Sequence, residues 1–393
     1  MKLAILTCGI LPIPAVQGGA VENMIDFYLD YNSRKRLHDI TIYSPWIPEV
    51  KTHPALSSDV NHYHFIDVTS FKARAERRLR SYFHSNEYYN YFIEYYFEKI
   101  YAHLKKQDFD FIILENCPGY ALKLSRRGHK NVILHLNNNL LNATSRYHEE
   151  IFNGLKAVLT CSDFIKNCVS TIQSSSKIQT LYNAIDTKAF APKATAIVTR
   201  GQMGFADDDF VIAYSGRVNS DKGIAELIDA LIKLKGKERI KLMIIGGPFF
   251  GNAGNEDAFV RSLKEQGKRI KDRIVFTGFI PYKDVPNYLH LADMAALPSM
   301  WDEPFGLTIV EALAAGLPLV TTRSGGIPEI CEGVATIVDR KDVVSNLATA
   351  ILDLYEHPEK RKQMATASPE RAIRFDKEPY SEKFFAALEK LKE

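Results

Sequence analysis

No Cys-x-x-Cys pair occurs in the chain. The five cysteines, Cys8, Cys117, Cys161, Cys168 and Cys331, are odd in number and scattered. Neither a zinc site nor a disulfide framework is indicated, and the thiols read as those of a reduced, cytoplasmic protein. No apolar run reaches the roughly 18–20 residues needed to cross a bilayer. An excess of one charge is missing too. Fifty basic residues against 47 acidic ones leave a net charge of +3, too little to imply a nucleic-acid partner. There is no His-x-x-x-His spacing for a metal, no Gly-x-Gly-x-x-Gly dinucleotide fingerprint, no internal repeat and no low-complexity tract.

What remains is an ordinary globular composition, 46% hydrophobic and 25% charged over 393 residues, enough for two domains. Short apolar runs alternate with amphipathic segments. Strands are predicted at Leu3–Thr7, Asp39–Tyr43, Phe111–Glu115, Val132–Leu136 and Ala157–Cys161. A second set follows at Phe210–Ser215, Lys241–Ile245, Arg273–Thr277, Met294–Leu297, Leu317–Thr321 and, as an edge, Thr336–Val338. Such alternation implies parallel sheets with crossover helices. Two doubly wound α/β domains facing each other across a cleft are expected, with ligands beyond the carboxyl ends of the strands. The boundary falls in the weakly periodic stretch 186–208, giving domains 1–190 and 191–374. A tail helix within 375–393, with Phe384, Phe385, Leu388 and Leu391 at helical spacing, is available to pack back on the first domain. The apolar N-terminus imitates a signal peptide, but Pro12, Pro14 and Gly18-Gly19 follow it, and a buried first strand feeding a glycine loop explains it better.

Residues 299–316 carry the strongest functional signal. Glu303 and Glu311 bracket Pro304, Gly306 and an apolar run at helical spacing that Gly316 can stop. The first amides of such a helix attract phosphate. Two carboxylates beside it suit hydroxyl groups, so the segment fits a nucleotide sugar. It also fits a capped core helix with one acid on its wet face.

Arg217 and Lys222 share a loop after the strand Phe210–Ser215 and before a helix over Ile224–Leu234. They suit a diphosphate, or are two surface cations beside a turn. Gly18-Gly19 allows close backbone approach to a ligand. His135, with Asn137, Asn138 and Asn139, ends the strand Val132–Leu136 and can bind a sugar hydroxyl or shuttle a proton, or can be a hydrogen-bonded loop. Ser174–Asp186 holds a strand running into a turn. Gly246-Gly247-Pro248 and Gly325-Gly326-Ile327-Pro328-Glu329 read as turns. The stretch 71–106 gathers Lys72, Arg74, Arg77, Arg78 and Arg80 before Tyr82, Phe83, Tyr88, Tyr89, Tyr91, Phe92, Tyr95, Tyr96 and Phe97. It suits an anionic membrane surface or a lipid-phosphate acceptor, or is a helix pair with a solvated basic face.

Taken together, these residues make the chain resemble the retaining glycosyltransferases of family 4, which have the GT-B fold. The landmarks are Gly18-Gly19-Ala20-Val21-Glu22, Ser215-Gly216-Arg217 with Lys222-Gly223, the Glu303–Glu311 element, and Gly325-Gly326-Ile327-Pro328-Glu329. The resemblance implies a UDP-, GDP- or dTDP-sugar donor held mainly by the second domain. It implies a saccharide or lipid-linked acceptor held mainly by the first, with surface polysaccharide or glycolipid synthesis as the pathway. Arg217 and Lys222 would grip the diphosphate, Glu303 the donor sugar and Glu311 the ribose. Gly18, Gly19, Gly216, Phe305, Gly306, Leu307 and Thr308 would complete the donor site. Asn137, Asn138 and Glu22 would lie on the acceptor side. His135 lies near a family histidine, and Asn137 stands where relatives can carry a second one. Asn183-Ala184-Ile185-Asp186 matches a family Asn-Gly-Val-Asp turn, with Ala184 for the usual Gly. No metal or other cofactor is expected. A cytoplasmic protein, peripheral at the inner face of the membrane, follows. Two rivals are a GT-B sugar-nucleotide epimerase and a catalytically inactive sugar-binding subunit.

Overall fold

A computed structural model describes residues 1–81, 91–192, 197–247 and 258–393. Tyr82, Phe83, Tyr88, Tyr89 and Pro248 lie outside the described residues, as do the side chains of Arg80, Tyr91 and Phe92.

The chain forms two compact units. One is Met1–Asn183 with Lys377–Glu393; the other is Ala184–Asp376. The sequence had placed the boundary at 190/191 and the tail at 375. Residues 184–190 join the second unit for a physical reason. Ile185 bridges Asp376, Asp376 accepts hydrogen bonds from Thr187 through its amide (3.2 Å) and its hydroxyl, and the Phe190 ring meets Tyr282 edge-on.

The first unit contains β1 (Lys2–Leu6), β2 (Asp39–Pro45), β3 (Asn61–Ile66), β4 (Phe111–Glu115), β5 (Val132–Leu136), β6 (Ala157–Thr160) and β7 (Ile178–Thr180). They pair in the order β3-β2-β1-β4-β5-β6-β7, every pair parallel. Chain order reverses between β1 and β4, which makes their carboxyl ends the switch point of the sheet. β1, β4 and β5 are buried on both faces and therefore read as continuous apolar runs. β3 is a half-buried edge strand, Asn-His-Tyr-His-Phe-Ile, and its polar content hid it from the sequence reading. The last helix, Lys377–Lys392, packs on the helix Ala20–Lys35. Phe384 stacks on Tyr28 at 4.2 Å, and Arg34 pairs with Glu378 at 2.6 Å.

The second unit contains β8 (Phe210–Ser215), β9 (Ile240–Ile245), β10 (Ile274–Gly278), β11 (Met294–Leu297), β12 (Leu319–Thr322) and β13 (Thr336–Val338). Their order is β10-β9-β8-β11-β12-β13, again parallel throughout. The apolar run after Gly306 becomes the helix Leu307–Ala314, and Gly316 follows it with φ +75°. Among the described residues, no helix is long and apolar enough to cross a membrane.

Candidate functional site in the second unit

Polar residues of the second unit converge beyond the carboxyl ends of β8 and β11. β8 leads through Gly216 to Arg217, whose carbonyl accepts the buried Tyr214 hydroxyl at 2.8 Å. The Arg217 side chain is exposed. Among the described residues no carboxylate is placed to pair with it, so its guanidinium fork is available for an anion. A Cβ added at Gly216 would lie 3.6 Å from the Thr308 methyl. The end of β8 therefore sits against the start of the helix Leu307–Ala314.

Lys222 closes the same loop. Its Nζ pairs with Glu303 Oε1 and lies 5.2 Å from the centre of the Trp301 ring. The Ser299 hydroxyl donates to that same Glu303 oxygen at 2.9 Å. The pair is enclosed but reachable, with side-chain exposures of 19% for Lys222 and 11% for Glu303.

Two glycines allow the surrounding loops to close. Gly223 has φ +68°, and a Cβ there would fall 1.9 Å from the Pro298 carbonyl oxygen. Gly325 has φ +54°, and its Cβ would fall 2.2 Å from the Glu303 carbonyl oxygen. Backbone hydrogen bonds from Met300 to Asp221 (2.8 Å) and from Gly326 to Glu303 (2.8 Å) fix both approaches. The Gly325-Gly326 turn is thus the support beneath Glu303.

Glu311 is buried within its helix, 5% exposed, so the wet-face alternative does not hold. Burial pushes its carboxyl up to about 7, and the Tyr282 hydroxyl partly offsets this by hydrogen bonding to it. Leu307 and Thr308 are half-buried at the helix start. The Phe305 ring is core, edge-on to Phe375, so that residue offers a ligand only its backbone.

The predicted residues of the first unit form separate groups. Gly18 and Gly19 both have positive φ and enter the helix Ala20–Lys35. A Cβ on Gly19 would lie 2.2 Å from Glu22 Oε2, so the carboxylate of Glu22 folds back over the loop. Burial raises the Glu22 carboxyl above the usual range. Asp26, which the sequence reading missed, accepts the Ala15 amide at 2.8 Å. Burial and the neighbouring charges of Glu22 and Asp30 bring it up to about 7.

His135 is 1% exposed. Its Nδ1 sits 3.0 Å from Glu115 Oε2, and Glu115 also accepts the Tyr28 hydroxyl at 3.0 Å. The His135 ring lies near Tyr380 and Phe384 of the last helix. It is a member of this unit's interior. Asn137 follows, with both side-chain amide atoms enclosed and without a hydrogen-bond partner among the described residues. The Asn138 side chain accepts the Leu140 amide at 3.0 Å and so shapes its own loop.

Trp301, Tyr282 and Ser299 also escaped the sequence reading. Each touches a predicted residue only after folding, and none carries a motif. No group of three or more His, Cys, Asp or Glu side chains among the described residues is placed to hold a metal ion.

Comparison with known proteins bears on the same region. Residues 198–371 match the family model for glycosyl transferases group 1. The chain is 27% identical to spore coat protein SA of Bacillus subtilis over 95% of this chain and 94% of that one. It is 28% identical to the lipopolysaccharide 1,2-N-acetylglucosaminetransferase of Salmonella typhimurium, over 40% of this chain and 43% of that one. In fold it resembles the solved structure of Anabaena HepE in complex with UDP, with a TM-score of 0.75 and 21% identity over 99% of this chain and 100% of that one. The two Rossmann-like units are those of the GT-B fold.

Proposed function

We propose that this chain, a glycosyltransferase that over residues 198–371 belongs to the glycosyl transferases group 1, moves a sugar with retention from a nucleoside-diphosphate sugar to a saccharide or lipid-linked acceptor in surface-glycan synthesis. The donor is held mainly by the second unit and the acceptor mainly by the first, where Glu22, Asn137 and Asn138 are the candidates for it. Loss of the diphosphate is the demanding step, because negative charge grows on a leaving oxygen. Arg217 and Lys222 stabilise that charge from one loop, and the amides at the start of Leu307–Ala314 add their dipoles. Glu303 accepts sugar hydroxyls, and Glu311 with Tyr282 receives the ribose hydroxyls. The acceptor oxygen attacks on the face that the diphosphate leaves, and a phosphate oxygen takes its proton. No step requires a metal.

One observation carries the reading: the Lys222–Glu303 pair, held by Ser299 and Trp301 beside the start of that helix. A cation and an acid already share one enclosed spot where a phosphate and a sugar hydroxyl would each find an opposite partner. Solved relatives in fold bind UDP and UDP-glucose, and a sequence relative is named for lipopolysaccharide sugar transfer. Both support the donor class and the pathway.

A thermal-shift screen of UDP, GDP and dTDP tests this reading. One of them raises the melting temperature by linkage, and the same base then supports transfer from its sugar conjugates. A chain whose melting point answers to none of the three contradicts it.

A peripheral attachment to anionic lipid fits the helix Phe71–Ser81. Phe71 and Leu79 are 89% and 64% exposed, eight residues apart on one helical stripe and flanked by Lys72, Arg74 and Arg78. Co-sedimentation with anionic liposomes, lost in a variant with the 72–78 cations reversed, checks this.

A further inference from the structure

We propose that Cys8 and Cys117 form a reversible dithiol–disulfide site whose oxidant is a low-molecular-weight disulfide. The two residues are 109 positions apart in sequence and read separately as scattered thiols. Folding joins them. β1 and β4 are neighbours, with Leu6 opposite Leu114, so Cys8 and Cys117 leave adjacent strands at the same end, the switch point of the sheet. The Cys8 thiol donates to the Glu115 carbonyl at 3.1 Å, two residues before Cys117 in the chain. Cys8 lies two residues beyond Leu6 and Cys117 three beyond Leu114, so both leave backbone that neighbouring strands hold about 4.8 Å apart at their last paired residues; a disulfide spans roughly 4.4–6.8 Å between Cα atoms. All five thiols are free in this structure.

The two thiols differ in access, and that sets the order of events. Cys8 is half-buried, whereas Cys117 caps the helix Pro118–Ser125 at 7% exposure. Cys8, as thiolate, attacks one sulfur of the oxidant RSSR. That S–S bond breaks, a mixed disulfide Cys8–S–S–R forms, and RS⁻ leaves to take up a proton. Cys117 then gives up its proton and attacks the Cys8 sulfur, closing the internal bond and expelling the second RS⁻, which is protonated in turn. The dithiol loses two electrons and two protons, and RSSR gains both to become two RSH. Burial raises the Cys117 thiol well above its ordinary range, so closure is the slow step and quickens as pH rises. The crosslink ties the first residues beyond β1, which lead to Gly18-Gly19, to the head of the helix Pro118–Ser125.

The test equilibrates the native protein in glutathione buffers from fully reduced to fully oxidised. Acid quench, alkylation after unfolding and peptide mass spectrometry then read the thiols. The expected result is a Cys8–Cys117 linked peptide pair that grows with the oxidised fraction and disappears with dithiothreitol. In Cys117→Ser, a glutathione adduct on Cys8 should accumulate instead. Recovery of Cys8 and Cys117 from the wild type as two alkylated thiols, or as two separate glutathione adducts, after equilibration with oxidised glutathione alone would overturn the proposal.

Discussion

The two units each place a basic side chain against a glutamate near the carboxyl end of a parallel sheet, and the two pairs have opposite characters. His135 and Glu115 are direct cross-strand partners within β5 and β4, each 1% exposed, with the last helix packed over the histidine. Lys222 and Glu303 stand several residues beyond their strands, on loops held by glycines, and keep part of their surface. A polar residue still inside a strand is sealed by helices on both faces of the sheet. A polar residue a turn further on faces whatever the crevice admits. The difference is one of position along the chain, and it separates interior architecture from a candidate binding site.

Breaking the interior pair should have the largest effect on folding. Glu115→Ala leaves the Tyr28 hydroxyl and His135 without their acceptor in a closed interior. A loss of about 3–5 kcal/mol of stability is expected, read by denaturant unfolding, with turnover per folded molecule changing far less. The reverse outcome, full stability with lost turnover, would move this pair into the chemistry.

Breaking the other pair should do the opposite. Lys222→Ala and Arg217→Ala should each lower sugar transfer by about 10²–10³-fold, some 2.7–4 kcal/mol of transition-state stabilisation. Their unfolding midpoints should move little, since a partly exposed pair such as Lys222–Glu303 contributes about 0–1 kcal/mol and the Arg217 side chain is exposed. Saturating donor should not restore the rate of Arg217→Ala.

Glu311 sharpens the comparison, being a buried acid like Glu115 but carried by the helix of the proposed donor site. Its folded pKa of about 7 lies above the ordinary carboxyl value of 4.5. The folded state therefore holds the proton more tightly than the unfolded one, and stability falls as pH rises from 4.5 through 7. The whole effect is about 3 kcal/mol. Glu311→Gln should unfold like the wild type near pH 4 and gain on it up to pH 7 to 8. A constant difference across that range would show that the carboxyl is not buried as described. The smallest effect belongs to the helix Phe71–Ser81, where each cation removed should weaken binding to anionic vesicles by about 1 kcal/mol.

Much of this was legible in the sequence because burial on both faces of a parallel sheet leaves continuous apolar runs. β4, β5, β8, β11 and β13 have the predicted bounds. β3 was not legible, because an edge strand that alternates His with aromatics carries neither a clean period nor a continuous run. In the proposed donor site, Gly216, Lys222, Glu303 and Thr308 could be singled out because they lie next to strand ends and turns. Trp301 and Tyr282 did not, since their roles depend on side chains about 80 and 30 residues away in sequence. His135 looked like a ligand-facing residue because sequence gives the end of a strand only to within a residue or two, and that margin decides whether a side chain faces core or crevice.

The central claim is that Arg217, Lys222 and the amides at the start of Leu307–Ala314 hold a pyrophosphoryl group. Calorimetric titration of the nucleoside mono- and diphosphate of the preferred base, against wild type and Lys222→Ala, measures it directly. The diphosphate should bind the wild type more tightly than the monophosphate, and Lys222→Ala should lose most of that increment while keeping its affinity for the monophosphate. An increment of the same size in both proteins would contradict the account.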